Sequence, residues 1–233
     1  MEVVILCGGK GTRMGEGTED LPKPLFTVGG KPILWHIMKI FSSYGHNNFT
    51  LCVGYGKGHI KKFVDNLEED NGWKINVVDT GLDSLKSERI NMVKGLIAGD
   101  NFFLSYGDDL TNINLNKLLE YHNNHGKLAT ITGVKMKSPF GIINFGEDGK
   151  INNFEEKPIL NNWMNGGYMI LNKEIFNHLH EGELENDVLP SLAKKGEVYM
   201  YPHDGEWKSM NTLKDNLELN ELWDNNKAFW RSW

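Results

Sequence analysis

Cysteine is nearly absent from this sequence. Cys7 and Cys52 are the only two in 233 residues; each lies inside an apolar run, and neither has a CxxC partner or histidines at ligand spacing. They read as reduced core residues, and disulfide-stapled and zinc-structured classes drop out. No apolar run approaches the roughly 20 residues needed to span a bilayer, and the N-terminus lacks the basic region of a signal peptide. A cytoplasmic location is therefore expected. Basic excess is missing too: 25 Lys and Arg stand against 31 Asp and Glu, a formal net charge of −6. That balance excludes a surface built for general attraction to nucleic acid or membrane. No Ser/His/Asp or Cys/His arrangement stands out, and His36, His59, His122 and His125 form no ligand-like group, so they read as helix-surface or packing residues. What remains is 39% hydrophobic residues, enough for one sizeable core in a single large domain.

The apolar pattern alternates between strand and helix signals. Val3 to Leu6 is continuously apolar, as a strand covered on both faces requires, and it runs into Gly8 and Gly9. Pro32 opens an amphipathic helix through Ile33, Ile37, Ile40 and Tyr44, stopped at Gly45. Phe49 to Val53, Ile75 to Val78 and Phe102 to Leu104 read as further strands, with helices over Ile60 to Leu67 and Leu85 to Ile97. This βαβαβαβ order predicts a largely parallel sheet with helices on both faces and a ligand site outside the carboxyl ends of the strands. The second half reads differently. A hairpin is expected over Gly141 to Phe145 and Ile151 to Glu155, then a strand at Tyr168 to Leu171, a helix near Val188 to Lys194 and a strand at Val198 to Tyr201. This predicts a smaller mixed-sheet lobe on the first. Three tryptophans between Trp223 and Trp233 read as packing residues, with an interface patch as the alternative.

The segment Gly8-Gly9-Lys10-Gly11-Thr12-Arg13 follows the first strand directly. Glycines let backbone N–H groups approach phosphate oxygens, and Arg13 adds a fork of donors, so a phosphate cradle is favoured over a simple turn. No GxxxxGK[ST] is present, which excludes a Walker-type ATPase. Gly9, Gly11 and Gly15 fit a loose dinucleotide spacing, yet Gly17, Pro22 and Pro24 follow where a helix would have to start, so a nicotinamide oxidoreductase is a distant alternative. The prolines flanking Lys23 restrict its backbone and let its ammonium be aimed at a polyphosphate. Asp108 follows a buried strand through Gly107, where its carboxylate can meet a metal bridging phosphates. Asp109, whose side chain should point the other way, reads as a solvated or helix-capping acid.

These motifs, with Gly-Gly-Lys-Pro-Ile-Leu-Trp-His-Ile-Met from Gly29 to Met38, resemble those of the sugar-phosphate nucleotidylyltransferases, and the Gly29 to Met38 string points to the cytidylyl branch. The likeness continues through Val78 to Gly81, Glu156-Lys157-Pro158, Asn165-Gly166-Gly167 and Thr212-Leu213, and so covers nearly the whole chain. It implies a Rossmann-like three-layer α/β/α fold with a mostly parallel sheet and a smaller mixed α+β sugar-binding lobe. The nucleotide-binding part would be residues 1–135, and the sugar-phosphate part, with a C-terminal helix, residues 136–233. It implies Mg2+ as cofactor and conversion of CTP and a hexose 1-phosphate, with glucose expected, to CDP-sugar and pyrophosphate. The same reaction with another nucleotide or phosphorylated acceptor is the enzymatic alternative.

By the same resemblance Leu6, Gly8 to Arg13, Lys23, Thr80, Gly81, Ser84, Arg89 and Asp108 would surround the nucleotide. Arg13, Lys23, Asp108 and Lys157 would be catalytic. Glu156, Lys157, Asn165 and Gly166 would hold the sugar phosphate. Read from the residues alone, Lys157 could equally be a solvated hairpin-end lysine, Arg89 a helix-face residue and Asn165 a turn residue. Two departures stand out. A second metal-binding carboxylate is expected just before Thr212, and this chain has Asn211, a neutral oxygen donor that Asp204, Glu206 or phosphate oxygens would have to compensate. This raises a non-catalytic nucleotide-sugar binding protein as a further alternative. The stretch from Gly56 to Val77 is also shorter than the family pattern, which leaves a homo-oligomer open.

Overall fold

The structure is a computed structural model that describes residues 1–9, 21–67 and 72–233. In chain order the strands and helices are β1 (Glu2–Cys7), β2 (Thr27–Val28), β3 (Lys31–Pro32), α1 (Ile33–Ser43), β4 (Asn48–Val53), α2 (Lys57–Asp65) and β5 (Lys74–Asp79). There follow α3 (Lys86–Met92), β6 (Asn101–Tyr106), β7 (Asp109–Thr111), α4 (Leu115–His125), β8 (Ala129–Lys137), β9 (Ile142–Phe145) and β10 (Ile151–Glu155). The chain ends with β11 (Ile159–Asn172), α5 (Leu189–Lys194), β12 (Val198–His203), β13 (Trp207–Ser209) and α6 (Leu213–Asp224).

Seven strands form one sheet in the order β12-β8-β11-β6-β1-β4-β5, and only β11 runs against the rest. The expected parallel half is therefore present. The second half completes the same sheet through β8, β11 and β12, and what projects as a small lobe is the β9–β10 hairpin.

The continuous apolar runs are explained by burial on two faces. Along β1, Val3, Ile5 and Cys7 enter a core with α1, α2 and α4, while Val4 enters a second core with α3 and α5. β6 and β11 divide the same way: Phe103, Tyr168 and Ile170 go to the first core, and Phe102, Leu104, Met169 and Leu171 to the second. Successive residues of a strand point to opposite faces, so a strand with helices on both sides must be apolar throughout. Cys7 and Cys52 are free and buried, as expected. Trp230 is fully buried against α1, while Trp233 stays exposed. Among the described residues, no helix is long and apolar enough to cross a membrane.

Candidate active site

A cavity of about 930 Å³ opens at the carboxyl ends of β1 and β6. Leu6, Cys7, Gly8 and Gly9 line it from β1, and Tyr106, Gly107 and Asp108 from β6. Leu82 to Lys86, Arg89, Glu183, Glu185 and Asn186 line the remainder. Gly107 is wedged between the strand ends, and a Cβ there would lie 3.0 Å from the carbonyl oxygen of Leu6. That close fit delivers Asp108 to the cavity.

Three residues from distant parts of the chain meet here. The Lys23 ammonium donates to Asp108 Oδ2 at 3.3 Å and to Asn211 Oδ1 at 2.9 Å. Lys23 sits in a single 3₁₀ turn, Lys23–Leu25, held between the prolines by Leu25 N–H to Pro22 O at 2.9 Å. Asn211 arrives through the antiparallel β7–β13 ribbon, with Met210 N–H donating to Asp108 O at 2.8 Å. Immediately after it, Thr212 and Asp215 cap α6 reciprocally. Asn211 Nδ2 donates to Ser209 Oγ at 2.9 Å, which aims its oxygen at Lys23.

Burial raises the pKa of Asp108, an effect that the neighbouring Lys23 partly offsets. Asp109 differs from its expected role. It is 3% exposed, neither solvated nor capping a helix, and burial followed by the Asp108 charge pushes its pKa far up. Its side chain does point away from Asp108's, but inward, under Gly167.

Arg89 is buried rather than lying on a solvated helix face. Its guanidinium donates to Thr80 Oγ1 and Gly81 O, both at 2.8 Å, and to Leu82 O at 3.1 Å. It also lies directly beneath Gly8, where a Cβ would come within 2.2 Å of Nη1. Arg89 thus ties Gly8 to the Thr80–Leu82 segment, part of the expected surround of the nucleotide. Thr80 is fully buried, and its hydroxyl donates to Val53 O at 2.8 Å while accepting from Arg89. The hydroxyl is thus engaged in supporting the loop. Ser84 Oγ likewise donates to Thr80 O.

The sugar-phosphate candidates are less gathered. Glu156 and Lys157 lie outside the cavity lining, exposed after the β9–β10 hairpin, and pair with each other at 3.5 Å. Asn165 reaches the rim by donating to Tyr106 Oη at 3.2 Å, and Gly166 is buried, its carbonyl accepting from Trp207 Nε1 at 2.8 Å. Asp204 and Glu206 do not line the cavity. Lys10, Gly11, Thr12 and Arg13 lie outside the described residues. Sequence reasoning missed Lys86, Glu183 and Glu185 because no motif marks them; only the fold brings α3 and the turn at Leu184–Val188 together.

Residues 2–226 match the Nucleotidyl transferase family. The chain belongs to this family. It is 42% identical over 255 aligned positions to a Bacillus subtilis (strain 168) protein named "Probable glucose-1-phosphate cytidylyltransferase", with both chains covered completely. The glucose-1-phosphate cytidylyltransferase of Salmonella typhi is 34% identical over 257 positions, again with complete coverage of both. Both alignments exceed the 233 residues of this nucleotidyltransferase, so each carries gaps in this chain. A crystal structure of HddC from Yersinia pseudotuberculosis shares the fold, with a TM-score of 0.75 at 22% identity over 95% of this chain and 99% of that one.

The donor set suits a hard cation. Mg2+ is commonly held by one or two carboxylates, with substrate phosphates completing its shell. Here Asp108 gives a carboxylate and Asn211 a neutral oxygen, and both already face a positive charge, the Lys23 ammonium. Among the described residues no group of three or more His, Cys, Asp or Glu side chains could hold a metal, so phosphate oxygens would supply the remaining positions.

Proposed function

We propose that this nucleotidyltransferase transfers the cytidylyl group of CTP to glucose 1-phosphate, giving CDP-glucose and pyrophosphate. The observation that carries the reading is the convergence of Lys23, Asp108 and Asn211 at the carboxyl ends of β1 and β6. The full-length likeness to the two cytidylyltransferases supports the choice of substrates.

The chemistry asks little of a base. The acceptor's phosphate oxygen is already ionised when it attacks the α-phosphorus in line, so the protein must position two anions and offset their repulsion. Lys23 neutralises the triphosphate and the charge that grows on the departing pyrophosphate. Gly8 and Gly9 let the backbone approach the phosphates, and Arg13 would add its fork of donors. Asp108 and Asn211 would hold Mg2+, which would supply positive charge to offset that of the phosphates. Gly81, Ser84 and Arg89 shape the base site through the backbone that Arg89 fixes. Asn165 and Gly166 border the acceptor's side. The geometry gives no support for Glu156 and Lys157 in that contact.

The test is pyrophosphate release across four nucleoside triphosphates and a panel of sugar 1-phosphates with Mg2+. CTP with glucose 1-phosphate should exceed every other pair. Preference for another nucleotide or acceptor would replace the substrate assignment. Tight nucleotide-sugar binding without pyrophosphate would move the protein to the binding role that Asn211 raises.

A further inference from the structure

The residues lining the cavity fall into two chemical sets. Gly8, Gly9, Lys23 and Asp108 suit phosphate and metal. The second set, Lys86, Glu183, Glu185 and Asn186, also faces the cavity, yet two carboxylates there would repel a phosphate. A group placed against them must offer hydrogen-bond donors.

This second set is a built network. Lys86 Nζ donates to Glu185 Oε1 at 2.5 Å and lies 4.9 Å from the centroid of the Tyr106 ring. Tyr106 Oη donates to the same Oε1 of Glu185 and accepts from Asn165 Nδ2. Burial, and then the neighbouring Glu185 carboxyl, raises the pKa of Glu183. Burial opposes the ionisation of Glu185, but the Lys86 and Tyr106 bonds outweigh it and hold its pKa below the ordinary value. A residue from α3, one from β6 and two from the turn after Gly182 thus present mixed donors and acceptors at fixed positions. A hydroxyl both donates and accepts, so adjacent hydroxyls can use such a surface fully, whereas a phosphate cannot.

The geometry points to Lys86, Glu183 and Glu185 as a recognition surface for a pair of neighbouring hydroxyls on a substrate. Both proposed substrates carry such a pair, CTP on its ribose and glucose 1-phosphate on its ring. This inference rests on the reading given above for the cavity. It makes the three side chains specificity residues rather than supports of the fold.

The test compares CTP with 2′-deoxy-CTP and glucose 1-phosphate with 2-deoxyglucose 1-phosphate, in the wild type and in Glu185→Gln, Glu183→Gln and Lys86→Met. Both kcat/KM and calorimetric affinity are measured. The wild type should favour the hydroxylated member of one pair by roughly tenfold to a hundredfold, as expected for hydrogen bonds to charged groups. The variants should lower that ratio by roughly tenfold and leave the other pair's ratio unchanged. The affected pair identifies the ribose or the hexose as the bound diol. A purely structural network would change both members of a pair equally, and unchanged ratios in folded variants would overturn the assignment. Glu183→Gln, at a partly exposed position, keeps the test available if Glu185→Gln does not fold. Calorimetry separates the two readings: discrimination in binding without pyrophosphate release would end the transferase assignment and retain the hydroxyl surface.

Discussion

The Lys23 ammonium lies 2.9 Å from the side-chain oxygen of Asn211, a residue 188 positions away in sequence. An amide at that point accepts a hydrogen bond but brings no charge to balance Lys23 or to attract a metal. The pair Asp108–Lys23 is therefore the only full ionic contact among these three residues. Asn211→Asp adds one negative charge where the oxygen already points. The Mg2+ concentration giving half-maximal turnover should fall roughly tenfold, the equivalent of about 1.4 kcal/mol of added attraction. An unchanged Mg2+ titration and unchanged kcat would remove Asn211 from the metal site.

Asp108→Asn keeps the shape and the Lys23 contact but removes the carboxylate. Turnover should drop by roughly a hundredfold to a thousandfold, the usual cost of removing one electrostatic element of a transition state. Circular dichroism should remain that of the wild type, because Asp108 sits at a cavity edge and not in either core. Turnover within a few-fold of the wild type would contradict its assigned role.

Arg89 is a buried cation whose described partners are neutral oxygens, three of them the carbonyls of Val53, Gly81 and Leu82. Arg89→Met removes the guanidinium donors from the Gly81 and Leu82 carbonyls and from the Thr80 hydroxyl, while Val53 O keeps its bonds from Thr80. Chemical denaturation should show a loss of about 2–4 kcal/mol, since each unsatisfied buried acceptor carries a penalty of order 1 kcal/mol or more. The KM for CTP should rise more than the KM for the acceptor, because Arg89 shapes the nucleotide side. Arg89→Lys should recover little, as a single ammonium cannot reproduce the planar fork. Equal KM changes for both substrates would mean that Arg89 has no particular tie to the nucleotide side.

The parallel part of the sheet was legible because β1, β4 and β6 each carry a nearly continuous apolar run, a pattern that burial on both faces imposes. The ends of those strands then located the site without further information. Other features escaped for physical reasons. Nothing in the composition of β7 or β13 shows that they pair, and that pairing is what carries Asn211 to Lys23. The alternation rule correctly separates Asp109 from Asp108, but it does not say whether the second direction is solvent or core. The Glu-Lys-Pro motif at Glu156 marks a chain segment and not its position, and the fold leaves that segment outside the cavity.

Gly167 occupies the left-handed region at φ +76°, and a Cβ there would fall 2.1 Å from Asp109 Oδ2. Gly167→Ala therefore combines backbone strain with a collision against a buried carboxyl, and should cost about 1–3 kcal/mol of stability. Asp109→Gly in the Gly167→Ala background removes the collision and should show a smaller combined loss than the two single losses added together. Strict additivity in that double-mutant cycle would mean that the two side chains do not meet.

His36 links the C-terminal segment to the body of the protein. Its Nε2 donates to Val28 O at 2.8 Å, which leaves Nδ1 as the acceptor for Trp230 Nε1 at 3.3 Å. The ring is fully buried among Trp35, Trp223, Trp230 and Trp233. Burial lowers its pKa from 6.5 to about 4, although hydrogen bonds to backbone oppose the shift. A group with a depressed folded pKa binds fewer protons in the folded state than in the unfolded one. Its stabilising effect is complete above pH 6.5, shrinks as the pH falls and is gone below about 4. Urea denaturation between pH 7 and 4 should lose up to about 3 kcal/mol through this residue. His36→Gln retains a donor and an acceptor but no titration, so its stability should fall less steeply over the same interval. His46 and His122, also depressed to about 4, keep a residual slope in the variant. Parallel curves for the wild type and His36→Gln would show that protonation of this ring does not control how the C-terminal tryptophans are held.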